Sequence, residues 1–180
     1  RLQSDQSLSK FAMTSNETLE PESTMQESII KIKYFQQLIE YQDCYKNFYY
    51  DGELRADEAF VQNFFKAVWA ESKSSVDSEV KNGRGIVDFK ISYGRDDCTL
   101  IEFKLGSSTS LKRNIEHQTE IYKRVNQTDN ALTVIVIFTD KDSLRVSRAL
   151  KATEKENDEN IYIIDARRDN KPSASIATCH

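Results

Sequence analysis

The chain has 180 residues, 38% hydrophobic and 30% charged, with a formal net charge of −4. That is enough apolar material for one ordinary core with a helical appendage. No run approaches the roughly eighteen apolar residues of a membrane span, and the mild acidity is not that of a dedicated nucleic-acid coat protein.

The three cysteines, Cys44, Cys98 and Cys179, are far apart and lack metal-ligand spacing. This argues against a disulfide framework or zinc site and for a reducing, cytoplasmic setting. The two histidines, His117 and His180, offer little to a histidine-centred mechanism. Charge is unevenly spread: residues 1–60 hold eleven acids against six bases, and residues 81–124 hold nine bases against six acids. The second stretch permits a phosphate-binding face without establishing one.

In chain order, residues 1–20 are polar, without sustained period, and read as a flexible terminus or linker with no apolar stretch of signal-peptide length. A chain that opens on Arg1 rather than Met reads as a piece of a longer product. From Pro21, apolar residues at three- and four-residue steps (Met25, Ile29, Ile32, Phe35, Ile39, then Tyr45 and Phe48) predict an amphipathic helix over 22–48, ended near Asp51-Gly52. Residues 21–52 are therefore set apart as an N-terminal helical extension, a surface for packing, for a homodimer or for further domains.

Residues 53–180 form the main domain. A second helix over 54–73 is apolar on most sides through Phe60, Val61, Phe64, Phe65, Val68 and Trp69. Glu58 and Gln62 share a stripe of it with Phe65 and Trp69. Three strands follow, "SVDSEVK", "GIVDFKISY" and "CTLIEFKL"; then a helix from Ser110, its predicted cap, through Leu111, Ile115, Ile121 and Val125. "ALTVIVIFTD" is a continuous apolar strand, "DSLRVSRALKATEKEN" a charged amphipathic helix and "IYIIDA" a last short strand. The expected class is α/β, a mixed central sheet flanked by helices in the order α-β-β-β-α-β-α-β.

The second and third strands contain the anomaly of the sequence. With Gly94-Arg95-Asp96 as the loop, Val87 pairs with Phe103 and Phe89 with Ile101, which sets Asp88 opposite Glu102 with Lys104 on the same side. Two facing carboxylates repel unless a cation lies between them. Lys104 supplies one positive charge and a structural ion trio; a hard divalent cation supplies more, and paired carboxylates are how proteins hold Mg²⁺.

Asp88, thirteen intervening residues and then Glu102-Phe103-Lys104 resembles the D…ExK core of the PD-(D/E)XK nuclease superfamily, over about residues 54–165. The resemblance implies a restriction-endonuclease-like core with Mg²⁺ or Mn²⁺ held by Asp88, Glu102 and the Phe103 carbonyl, and Lys104 assisting the attacking water in phosphodiester hydrolysis. A first-helix glutamate often completes such a site; Glu58 is the first choice and Glu79 the second. Gln118 and Tyr122 look like the QxxxY motif of RecB-like members, placed to contact phosphate or buttress the site. "NGRGIVDF", with Arg84 between two glycines, is similar to a pattern in nuclease-like domains. Val87 stands where the superfamily's proline would be. The implied function is a metal-dependent nuclease domain, with DNA favoured over RNA as partner and bacterial defence or restriction as its setting. The alternative is a module that keeps the fold and binds nucleic acid or protein without turnover.

Overall fold

The computed structural model describes residues 21–82, 85–118 and 128–171, with the backbone alone for residues 82, 85, 117 and 118. The terminus over 1–20, the Gly83-Arg84 pair and most of the helix expected after Ser110 lie outside the described residues.

Helix α1 (Thr24–Tyr41) starts where the Ser23 hydroxyl accepts the Gln26 amide, and it buries Ile32, Phe35 and Ile39. It is shorter than the spacing suggested. Asp43 turns into the left-handed region (φ 62), and Cys44–Phe48 forms a 3-10 helix whose three-residue repeat still buries Tyr45 and Phe48. Asp51-Gly52 does not end a helix. Both residues have positive φ and make the two-residue turn of a small hairpin, β1 (Tyr49–Tyr50) with β2 (Glu53–Leu54). Helix α2 therefore starts only at Glu58, capped by Asp57, and runs to Ala67 (Glu58–Ala67). Val68, Trp69 and Ala70 follow in turns whose amides bond three residues back.

Among the described residues the main sheet has five strands in spatial order: β3 (Ser75–Asn82), β4 (Gly85–Tyr93), β5 (Asp97–Leu105), β6 (Ala131–Ile137) and β7 (Ile161–Asp165). The first three are antiparallel and the last three parallel, so the sheet is mixed. Between β5 and β6 come α3 (Leu111–Arg113) and a π turn (Asn114–Gln118). Ser110 occupies the cap position but does not cap; its hydroxyl meets that of Ser108 and accepts from the Asn114 side-chain amide instead. Helix α4 (Asp140–Ala152) begins two residues before the expected start, on a reciprocal cap between Thr139 and Asp142. No described helix is long and apolar enough to cross a membrane.

One sheet face carries Phe89, Ile101, Phe103, Leu132, Val134, Val136 and Ile164 against α1 and α2. The other carries Ile135 and Ile137 against α3 and α4. All seven residues of β6 are buried, as a strand covered on both faces requires. Phe103 anchors the first core: its ring lies 4.9 Å from Phe65, 5.8 Å from Phe89 and 6.3 Å from Phe35. Burying a side chain of this size stabilises by about 1.5–3 kcal/mol, and edge-on ring contacts add to it. Helix α1 thus shares one core with the strand that carries Glu102 and Lys104.

Gly106, just past β5, admits α4 to the sheet. A β-carbon there would lie 2.8 Å from the Asp142 Cβ and 2.9 Å from Ile137 Cγ2, both packed atoms. Gly106→Ala is expected to cost about 1–3 kcal/mol by overpacking, read as a lower urea midpoint. An unchanged midpoint would show that α4 shifts without cost.

Candidate functional site

The register of β4 on β5 is the expected one from Tyr93↔Asp97 to Phe89↔Ile101, and there the ladder ends. The expected Val87–Phe103 and Asp88–Glu102 pairs do not form. Val87 packs with Leu100 and Ala131, away from the cluster that holds Phe89 and Phe103. Strand β5 meanwhile stays paired with β6 through Leu105, so β4 and β5 part as a fork. On the other side of β4 the ladder skips one step, between Ser78↔Phe89 and Val80↔Val87, where Glu79 has φ 54. Two carboxylates set directly opposite would repel. The fork avoids that, and the Asp88 carboxylate takes the place of the lost ladder acceptor: its Oδ2 receives the Phe103 amide at 2.7 Å.

Strand alternation drives Phe103 into the core and leaves its neighbours Glu102 and Lys104 in the fork. The Lys104 ammonium lies 2.8 Å from Glu102 Oε1, 3.4 Å from Glu58 Oε1 and 3.8 Å from Asp88 Oδ2. It also donates to the Phe103 carbonyl at 2.6 Å. Three carboxylates against one ammonium leave two excess negative charges if all are ionised. The Lys104 and Glu102 side chains are each 9% exposed, whereas Glu58, at the first turn of α2, is 38% exposed and forms the open edge. Gln62, one turn on from Glu58, is near enough to Asp88 to favour its ionised form. Sequence spacing marked its stripe but gave no reason to place it at the site.

Of the predicted residues, Asp88, Glu102, Phe103, Lys104 and Glu58 therefore meet at one point. Glu79 is exposed on β3, and among the described residues the carboxylates that face Lys104 are the other three. The Gln118 side chain, Tyr122 and Arg84 lie outside the described residues.

Burial dominates the electrostatics. Desolvation, together with the Asp88 charge, lifts the Glu102 carboxyl to about 7 against the pull of Lys104. Desolvation likewise lifts Asp88 to about 6, opposed by Lys104, the Phe103 amide and Gln62. For Lys104, burial alone would lower the ammonium; Glu102, Asp88 and Glu58 outweigh it and hold it above its usual range.

Among the described residues, no three His, Cys, Asp or Glu side chains are grouped to hold a metal ion as they stand. Lys104 sits between the acids. The donor set nonetheless fits a hard cation: it is all oxygen, carries excess negative charge, and includes Glu102 Oε2, which is buried without a hydrogen-bond partner among the described residues.

A family model for a domain of unknown function, DUF8371, matches residues 24–140, more than half of the chain, and the chain belongs to that family. The match runs from the first residue of α1 through β6 and takes in every residue of the fork. No curated protein and no solved structure matches.

A carboxyl whose folded pKa lies above its unfolded value near 4 makes the folded state the better proton binder. Its contribution to stability is full below about pH 4 and is lost as pH rises through 6 to 7 for Asp88 and Glu102. Asn mimics the protonated form, so in chelator Asp88→Asn is expected to be more stable than wild type by about 1–3 kcal/mol near pH 8. The gain should shrink toward nothing near pH 4. Urea titrations at both pH values decide it, and a variant less stable near pH 8 would contradict the assignment.

Proposed function

We propose that this DUF8371 chain is a metal-dependent nuclease domain of the PD-(D/E)XK type, on a restriction-endonuclease-like fold, hydrolysing phosphodiester bonds in DNA in preference to RNA. The observation that carries the proposal is the convergence of Asp88, Glu102, the Phe103 carbonyl and Glu58 on one buried cation in the fork. The element order from α2 to β7 and the mixed sheet are compatible with it.

In this reading Asp88, Glu102 and the Phe103 carbonyl hold Mg²⁺ or Mn²⁺, with Glu58 at the exposed edge. When bound, the ion polarises a phosphoryl oxygen and lowers the pKa of a coordinated water. Lys104 is a donor-only group that its carboxylates keep protonated. Its role is then to orient the attacking water and stabilise charge developing on the phosphate, not to remove a proton. The Phe103 amide fixes the Asp88 carboxylate, and the core-anchored Phe103 ring fixes the carbonyl between the two functional side chains. Gln118 and Tyr122 are assigned to the phosphate side.

The second reading is a nucleic-acid or protein-binding module without turnover, in which Lys104 balances the acids permanently. The absence of a ready metal group among the described residues favours it.

Supercoiled, linear and single-stranded DNA and RNA incubated with Mg²⁺ or Mn²⁺ separate the two. Cleavage that is abolished by chelator is expected. Lys104→Met should reduce the rate about a hundredfold or more while the far-ultraviolet dichroism stays native. Wild-type protein that binds DNA but cleaves no substrate with either ion would establish the binding module. A folded Lys104→Met that cleaves as fast as wild type would remove the lysine from the mechanism.

A further inference from the structure

Two of the oxygens that would hold the ion are already in use. The Phe103 carbonyl and Glu102 Oε1 both lie within hydrogen-bond distance of the Lys104 ammonium, which folds back onto the carbonyl of its own preceding residue. Glu58 Oε1 makes a third, longer contact at 3.4 Å, and Asp88 Oδ2 stands at 3.8 Å. We infer that Lys104 is the resident counter-ion of the site, occupying the ion's place in the metal-free protein, so that a divalent cation enters by displacing its ammonium. The inference rests on the metal-dependent reading of the fork and adds a role for Lys104 before any substrate arrives.

Three observations carry it. Lys104 is enclosed, its side chain 9% exposed, so the ammonium occupies desolvated space in which a second cation close by would be strongly repelled. Glu102 spends only Oε1 on the lysine, and among the described residues its buried Oε2 meets no hydrogen-bond donor at bonding geometry, the Asp88 amide being the nearby backbone group, which leaves half of a carboxylate that an ion would satisfy and an ammonium does not. The surroundings also supply an exit. Glu58, the most exposed of the three acids, already lies 3.4 Å from the ammonium, so the displaced group keeps a carboxylate partner on the solvent side. The metal-free protein is then charge-compensated internally, and ion binding is weakened by the residue that later serves the reaction.

Mn²⁺ binding is measured by calorimetry at low ionic strength on wild type and Lys104→Met. Displacement predicts that the variant binds Mn²⁺ about tenfold more tightly or better, because a repelling neighbour has been removed. Equal or weaker binding by the folded variant overturns it. Should Lys104→Met fail to fold, wild type alone decides. Acetylation of Lys104 is followed by mass spectrometry with and without saturating Mg²⁺, against the exposed Lys112 as internal standard. Displacement predicts a several-fold faster reaction at Lys104 with Mg²⁺; an unchanged ratio overturns it. Mn²⁺ binding with unchanged Lys104 reactivity leaves the metal-dependent reading standing and removes displacement alone. Absence of Mn²⁺ binding in both proteins removes the two together.

Discussion

The Lys104 ammonium holds together a part of the sheet that would otherwise push itself apart. Asp88, Glu102 and Glu58 come from two strands and a helix, and all are drawn toward this one cation. Its attraction does not fully meet the cost of burying them, since both Asp88 and Glu102 remain displaced toward their neutral forms. A purely structural design would have replaced such a cluster with apolar side chains of similar volume. That a protein keeps partly compensated acids at the mouth of a fork is a reason to look for function there.

The rest of the fold is arranged so that the cluster cannot relax away. Phe103 is locked among Phe35, Phe65 and Phe89, and with it the backbone that carries Glu102 and Lys104. Strand β6, buried along its length, fixes β5 from the other side. Helix α2 brings Glu58 and Gln62 to the open edge while burying Val61 and Phe65. Helix α1 closes the same core and is tied to the start of β5 by Thr24, whose amide and hydroxyl both donate to Asp97. The helix set apart as an extension on sequence grounds therefore supports the strand that carries the site.

What was legible in the sequence was what periodicity and charge determine locally. Alternation along Ile101–Leu105 gave the strand and separated Phe103 from Glu102 and Lys104, and the Gly94 loop gave the register near the turn. The fork was not legible. It arises because Asp88 withdraws from both neighbouring ladders and bonds a backbone amide, a competition between carboxylate and carbonyl that residue spacing does not encode. The apparent length of the first helix failed for a related reason: a three-residue burial pattern at Tyr45 and Phe48 is shared by α-helix and 3-10 helix, and the left-handed Asp43 decides between them. Gln62 was hidden because an amide on a helix face gains meaning only once its partner on β4 is in place.

Whether the fork binds an ion in place of the Lys104 ammonium is decided by a crystal of the protein soaked in Mn²⁺, with anomalous scattering used to locate the ion. A single strong peak is expected in the fork, bounded by Asp88, Glu102 and the Phe103 carbonyl, with the Lys104 ammonium moved off that carbonyl. A peak elsewhere on the molecule, or none at saturating Mn²⁺ with Lys104 still seated among the three acids, would contradict it.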